Sequence, residues 1–208
     1  MNVLLTTAYW PNLQYMFYVL NSKNVEIEQF ENFQKQSYRN RTKILTANGV
    51  LDLSIPVRKK SLKELSKDIE ISYFENWQIK HWRAIESAYK NSPYFEFFET
   101  EIKYFYAQRF SNLLDYNSQQ LFSILNLLRL RKNITFTETF EKKIKGDFRD
   151  LRTIIHPKID FKLDQDIQPR LETGYYQTFE NKFPFQMNLS ILDLLFNKGL
   201  ETKTYLEM

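Results

Sequence analysis

The sequence predicts an α/β protein: a small, mainly parallel, Rossmann-like sheet with an added β-hairpin and a helical C-terminal half. Three observations predict it. The first ninety residues open with a strand–helix–strand pattern. An Asn-Gly pair divides two strand-like runs. From residue 77 onward apolar residues recur at helical spacing. An α+β domain with an antiparallel sheet is the alternative reading of the same runs.

Residues 3–8 (VLLTTA) read as a short buried strand. Pro11 can open a helix at its first turn, and Leu13, Phe17 and Leu20, with Tyr15, Met16 and Val19, suit a buried helix. "VEIEQF" at 25–30 reads as a second strand, which completes a βαβ unit. Such units bind ligands at the C-terminal ends of their strands, here Tyr9–Asn12 and the stretch from Phe30 onward. Residues 41–46 and 51–57 flank "ANG", a hairpin signal at Asn48-Gly49. "DIEISY" (68–73) alternates like a strand. Trp77, His81, Ile85, Ala88 and Tyr89 share one helical face, and Asn91-Ser92-Pro93 ends that helix. Residues 94–131 read as mostly helical, and 133–170 as a polar, broken excursion over the surface. "NLSILDLLFNKG" (188–199) carries a Ser190 cap, Asp193 three residues on, an apolar middle and a Gly199 stop. With no clear linker, residues 1–208 are expected to form a single domain, 1–93 being the α/β portion with the motifs and 94–208 the mostly helical one.

The 208 residues suffice for a well-buried core. Aromatic residues make up 16% while glycine is only 4 of 208, so large rings build the core or line a pocket. The absence of cysteine excludes disulfides, thiolate zinc sites and a cysteine nucleophile, and suits a reducing compartment. No apolar run is long enough to span a bilayer, and the first residues lack a basic leader pattern, so a cytoplasmic location is expected. The net charge of +4 is dispersed among acids, which disfavours a nucleic-acid partner. No P-loop, G-x-G-x-x-G, nucleophile elbow or metal-ligand spacing occurs, so no cofactor or metal is named.

"QKQSYRNR" (34–41) places Lys35, Arg39 and Arg41 around Tyr38 and Asn40 without an acid. Extended, the three cations project to one side; helical, Lys35, Tyr38 and Arg39 share a face. It reads either as a solvated basic edge or as a site for a phosphate or carboxylate. His81 reads either as a structural histidine or as a general base facing the same cavity as Tyr89. "SPYFEFF" (92–98) bunches four rings at a helix end, where Ser92 can cap or donate to a ligand. His156, beside Pro157 and Lys158, reads as a loop residue.

The ordered series "AYWPNLQYMF", "QKQSYRNR", "LDLSIPV", "W…HW..I..AY..SPYF" and "NLSILDLLFNKG" resembles the WbqC-like proteins of bacteria, over about residues 5–98 and again over 175–199. The approach to the last helix, "FPFQMN", departs from the family's "GF.PN" form. The resemblance implies a role in surface polysaccharide or glycolipid synthesis. It carries Tyr9, Pro11, Lys35, Arg39, Asn40, Arg41, His81, Tyr89, Ser92, Pro93 and Tyr94 as motif positions. The expected function is that of a transferase acting on an activated sugar or related anionic, nucleotide-linked small molecule, in one version by acyl or aminoacyl transfer to an amino sugar. His81 would be its base. Tyr9, Lys35, Tyr38, Arg39, Asn40, Arg41, Tyr89, Ser92 and Tyr94 would bind substrate. The alternative is a non-catalytic module that binds an anionic glycan precursor or a partner protein. The last helix is either core or the face of a homodimer.

Overall fold

The structure, a computed structural model, describes residues 1–58, 61, 63–140 and 146–207. Strand β1 (Asn2–Thr6), helix α1 (Leu13–Asn21) and strand β2 (Asn24–Glu28) form the expected βαβ unit, with Asn2 facing Asn24 and Thr6 facing Glu28 in parallel register. α1 starts where Asn12 Oδ1 accepts the Tyr15 N–H. The helix is buried almost all round, from Leu13 to Leu20.

The hairpin is also as expected: β3 (Arg41–Thr46) pairs antiparallel with β4 (Gly49–Ser54), and Gly49 takes φ +101° at the turn. The run to residue 57 breaks at Pro56, and Val57–Arg58 forms a separate two-residue strand, β5. β5 pairs with β6 (Glu70–Ile71), all that remains of the strand expected at 68–73. Helix α2 (Trp77–Tyr89) follows. The helical stretch after it divides into α3 (Phe95–Ala107) and α4 (Leu113–Leu127), the second capped by Asn112 Oδ1.

The segment 133–170 is not the surface excursion its composition suggests. It contains β7 (Asn133–Phe136) and β8 (Phe148–Asp150), which pair in parallel with β2 and β1. The sheet order is β7-β2-β1-β8, so the helical C-terminal half supplies both outer strands. These strands are short and only partly buried. Their stability comes from partners more than a hundred residues away, which no local pattern encodes. The chain ends in α5 (Gln168–Glu172), α6 (Ile191–Lys198) and α7 (Thr202–Leu206).

Ser190 caps α6 as expected, accepting the Leu192 N–H, and Gly199 closes it at φ +60°. Asp193 does not complete a capping box. It turns into the core and accepts from Tyr89 Oη at 3.0 Å and Tyr175 Oη at 2.6 Å. A Cβ on Gly199 would lie 2.6 Å from the Tyr94 ring. Gly199→Ala is therefore expected to destabilise the protein by about 1–3 kcal/mol, from the positive φ and the overlap together. Urea unfolding of the variant against the wild type measures this.

Candidate functional site

The carboxyl edge of a parallel sheet is where ligands of α/β proteins bind. In this protein the chain leaving β1 is itself buried there. Trp10 is fully buried and held at φ +33°, a sparsely populated conformation for a bulky residue. Its N–H donates to Gln120 Oε1, and its carbonyl accepts from Thr42 Oγ1 and Ser190 Oγ. The Tyr9 N–H donates to the Tyr38 carbonyl. Hairpin, octet, α4 and α6 thus all attach to residues 9–11.

The octet is largely architectural. Arg39 is 2% exposed, and its Nε and Nη2 donate to Glu31 Oε1 and Oε2, both at 2.7 Å. The acid that neutralises it lies eight positions upstream, outside the basic run. Asn40 bonds both ways with Ile55, and the Arg39 carbonyl accepts from Asn117 Nδ2. Lys35 is exposed and Arg41 half-buried at the start of β3. Only Tyr38 of the octet lines a cleft among those described.

A second buried ion cluster closes the ends of β2 and β8. Arg152 donates to Glu28 Oε2 at 3.0 Å and to both oxygens of Asp150. Glu28 Oε1 also accepts from Thr137 Oγ1.

His81 lies inside the aromatic core at 6% exposure. Its Nδ1 is 2.9 Å from Tyr9 Oη, which is 2.7 Å from Tyr106 Oη, and Trp10 Nε1 donates to Tyr106 Oη at 2.8 Å. The backbone of Ser54 also lies close enough to favour the protonated ring. Every group in this chain has a partner. Burial lowers the His81 pKa to about 4, against a smaller upward pull from Ser54. Tyr89 reaches Asp193 rather than His81; Ser92 Oγ donates to the Tyr89 carbonyl, and the Tyr94 N–H to the Phe196 carbonyl. The structure thus brings Tyr9 and His81 together, and Tyr89, Ser92 and Tyr94 around α6, but does not join these groups to the octet cations in one cavity.

Beside the octet a cleft of about 350 Å³ opens between Tyr38, Lys43 of β3, residues 157–161 after β8, and Met187-Asn188 before α6. Lys43 and Lys158 form no ion pair among the described residues within 4 Å, while Asp52 faces Lys43 across the hairpin. Burial raises the Tyr38 phenol pKa; the Asn12 side chain opposes this and Asp52 adds to it. The 157–161 wall is anchored from behind: Asp164 accepts from Tyr18 Oη at 2.7 Å and Gln14 Nε2 at 2.8 Å. Arg149 pairs with Asp166 and stacks on Tyr18. The Asn188 side chain holds the Gln14 N–H.

His156 adjoins this wall. Its Nδ1 accepts the Lys158 N–H at 3.2 Å, so the neutral ring carries its proton on Nε2. Partial burial, with Arg39 and Lys158 adding, lowers its pKa. Of the cleft residues, Lys43 and Asp160 lie in no motif, and Asn188 opens the run that leads into the last capped helix. The adjacent "HPK" was the nearest signal.

Fold and cleft together define an α/β protein with a small polar site at the sheet's carboxyl edge. The chain belongs to the WbqC-like protein family, whose model matches residues 7–160. It is 24% identical over 193 residues to the uncharacterized protein Rv1507c of Mycobacterium tuberculosis, covering 84% of this chain and 83% of that protein. No solved structure matches. No helix among the described residues is long and apolar enough to cross a membrane, and no group of potential metal ligands occurs among them.

Two predictions follow from the buried ions. Arg39→Ala leaves Glu31 buried and unpaired, and is expected to cost about 3–5 kcal/mol in unfolding free energy. His81 and Asp193 should oppose each other in the pH profile of stability. His81, lowered to about 4, binds a proton on unfolding between about pH 4 and its ordinary 6.5, so its contribution is lost as pH falls. Asp193, raised by burial to about 6, releases a proton on unfolding between 3.8 and about 6, so its contribution is lost as pH rises. Thermal unfolding from pH 4 to 7 should show a steeper acid loss in Asp193→Asn than in wild type, and in His81→Gln a loss toward higher pH.

Proposed function

We propose that this WbqC-like protein is a cytoplasmic transferase that modifies an activated sugar or related anionic substrate in surface polysaccharide synthesis. The anionic end of the substrate enters the cleft between Tyr38, Lys43 and Lys158. The observation that carries the reading is the position of this cleft: at the carboxyl edge of a parallel sheet, with two lysines on its walls that pair with no acid among the described residues and a tyrosine ring between them. Lysine supplies a mobile point charge to an anion, and the Tyr38 ring a face on which a sugar stacks. The polysaccharide context is the expectation that the motif resemblance carried, and it is part of this proposal.

One observation favours a second reading, a non-catalytic module that binds the same kind of ligand. The histidine carried over from the family motif, His81, is enclosed in the core with its hydrogen bonds satisfied. Under this reading the cleft binds and releases its ligand unchanged.

Thermal-shift titration tests the site. A ligand at about a hundred times its dissociation constant stabilises the folded state by about 2.7 kcal/mol. In a chain of this size that raises the Tm by roughly 5–10 °C. Nucleotide sugars, acyl-CoA and inorganic phosphate are the probes. The expected result is a shift in the wild type that Lys43→Ala/Lys158→Ala loses. An equal shift in both proteins places binding elsewhere. Conversion of a bound nucleotide sugar, followed by mass spectrometry, separates transferase from binding module.

A further inference from the structure

The walls of the cleft are not uniformly basic. Asp160 lines it together with Lys43 and Lys158, and Asp52, opposite Lys43 in the hairpin register, acts on the Tyr38 hydroxyl. Asp160 uses Oδ1 to accept the Lys162 N–H, which leaves Oδ2 with no hydrogen bond among the described residues. The lining thus carries two cations and one carboxylate, Asp160, with Asp52 just outside it in the hairpin. A polyanion would meet repulsion from Asp160, and a neutral sugar would offer no charge to either the lysines or Asp160. A small zwitterion satisfies both sets. The volume, about 350 Å³, lies at the lower end of the range of about 300–1,000 Å³ for ligand pockets. It suits a single sugar unit with its phosphate rather than a whole nucleotide sugar.

We infer that the cleft selects a phosphorylated amino sugar, its phosphate between Lys43 and Lys158 and its ammonium group on Asp160. The inference rests on the proposed site and adds the class of ligand. Asp160 is the residue that sets specificity: its free oxygen accepts a charge-assisted hydrogen bond from the ammonium, which a hydroxyl in the same place gives more weakly. Asn188, whose side chain holds the Gln14 N–H, fixes the opposite wall.

The test compares glucosamine 6-phosphate, glucose 6-phosphate and inorganic phosphate by isothermal titration on three proteins: wild type, Asp160→Asn and Lys43→Ala/Lys158→Ala. Asparagine retains the hydrogen bond to the Lys162 N–H, so the turn is kept. The expected result is a preference of about two- to fivefold for the amino sugar in the wild type, the ratio that a solvent-accessible ion pair gives. Asp160→Asn should abolish the preference while binding glucose 6-phosphate at least as well as wild type does. The double lysine variant should lose both ligands. If both sugar phosphates bind equally and depend on the lysines, the amino-sugar inference fails and the cleft stands. If the preference survives in Asp160→Asn, the ammonium is read elsewhere and the inference fails. If none of the three ligands binds the wild type, the inference fails together with the anionic site on which it rests.

Discussion

Everything in this structure depends on how the chain leaves β1. Residues 7–12 cross the carboxyl edge of the sheet in full burial, so each of their backbone polar groups needs a protein partner. Those partners come from across the sequence: Tyr38 for the Tyr9 N–H, Gln120 for the Trp10 N–H, Thr42 and Ser190 for the Trp10 carbonyl, and Ile191 for the Pro11 carbonyl. Trp10 adopts a left-handed backbone conformation that costs about 1–3 kcal/mol, and these bonds hold it there. The βαβ unit, the hairpin, α4 and α6 are joined through this one crossing.

The same crossing explains why the family motifs are dense in polar residues yet mostly buried. Arg39 with Glu31, Arg152 with Glu28 and Asp150, Tyr9 with His81 and Tyr106, and Asp193 with Tyr89 and Tyr175 are four enclosed polar groups around the carboxyl edge and α6. A buried pair adds little net stability over an apolar packing of equal volume, but losing one partner is costly. Such groups fix one arrangement against others. The rings between them supply the apolar contact: Trp77 packs edge-on against His81, Tyr106 and Tyr116.

The cleft is a product of this architecture rather than of a motif. Its floor residue, Tyr38, is positioned by the octet's backbone bonds; Lys43 by the hairpin; its far wall by Asp164, tied to Tyr18 and Gln14 of α1. The cleft is thus assembled from four segments whose supports lie in the packed core.

The sequence by itself determined the first βαβ unit, the Asn48-Gly49 hairpin, α2 and the capped, glycine-stopped α6, since each strand or helix in them is marked by a local residue pattern. It also carried family membership, in the order of its motifs. What only the tertiary structure decided is non-local. "NITF" has strand-forming residues but is too short to mark a strand by itself, and "FRD" has almost none; β7 and β8 are strands because β2 and β1 offer them hydrogen-bonding edges. Arg39 reads as a free cation until folding brings Glu31 against it, and His81 as a candidate base until Tyr9 and the rings of Trp77 and Tyr106 enclose it. Lys43, Lys158 and Asp160 carry no signal in the linear chain. A site of that kind exists only where segments distant in sequence meet, and their meeting is a property of packing, which single-sequence patterns do not record.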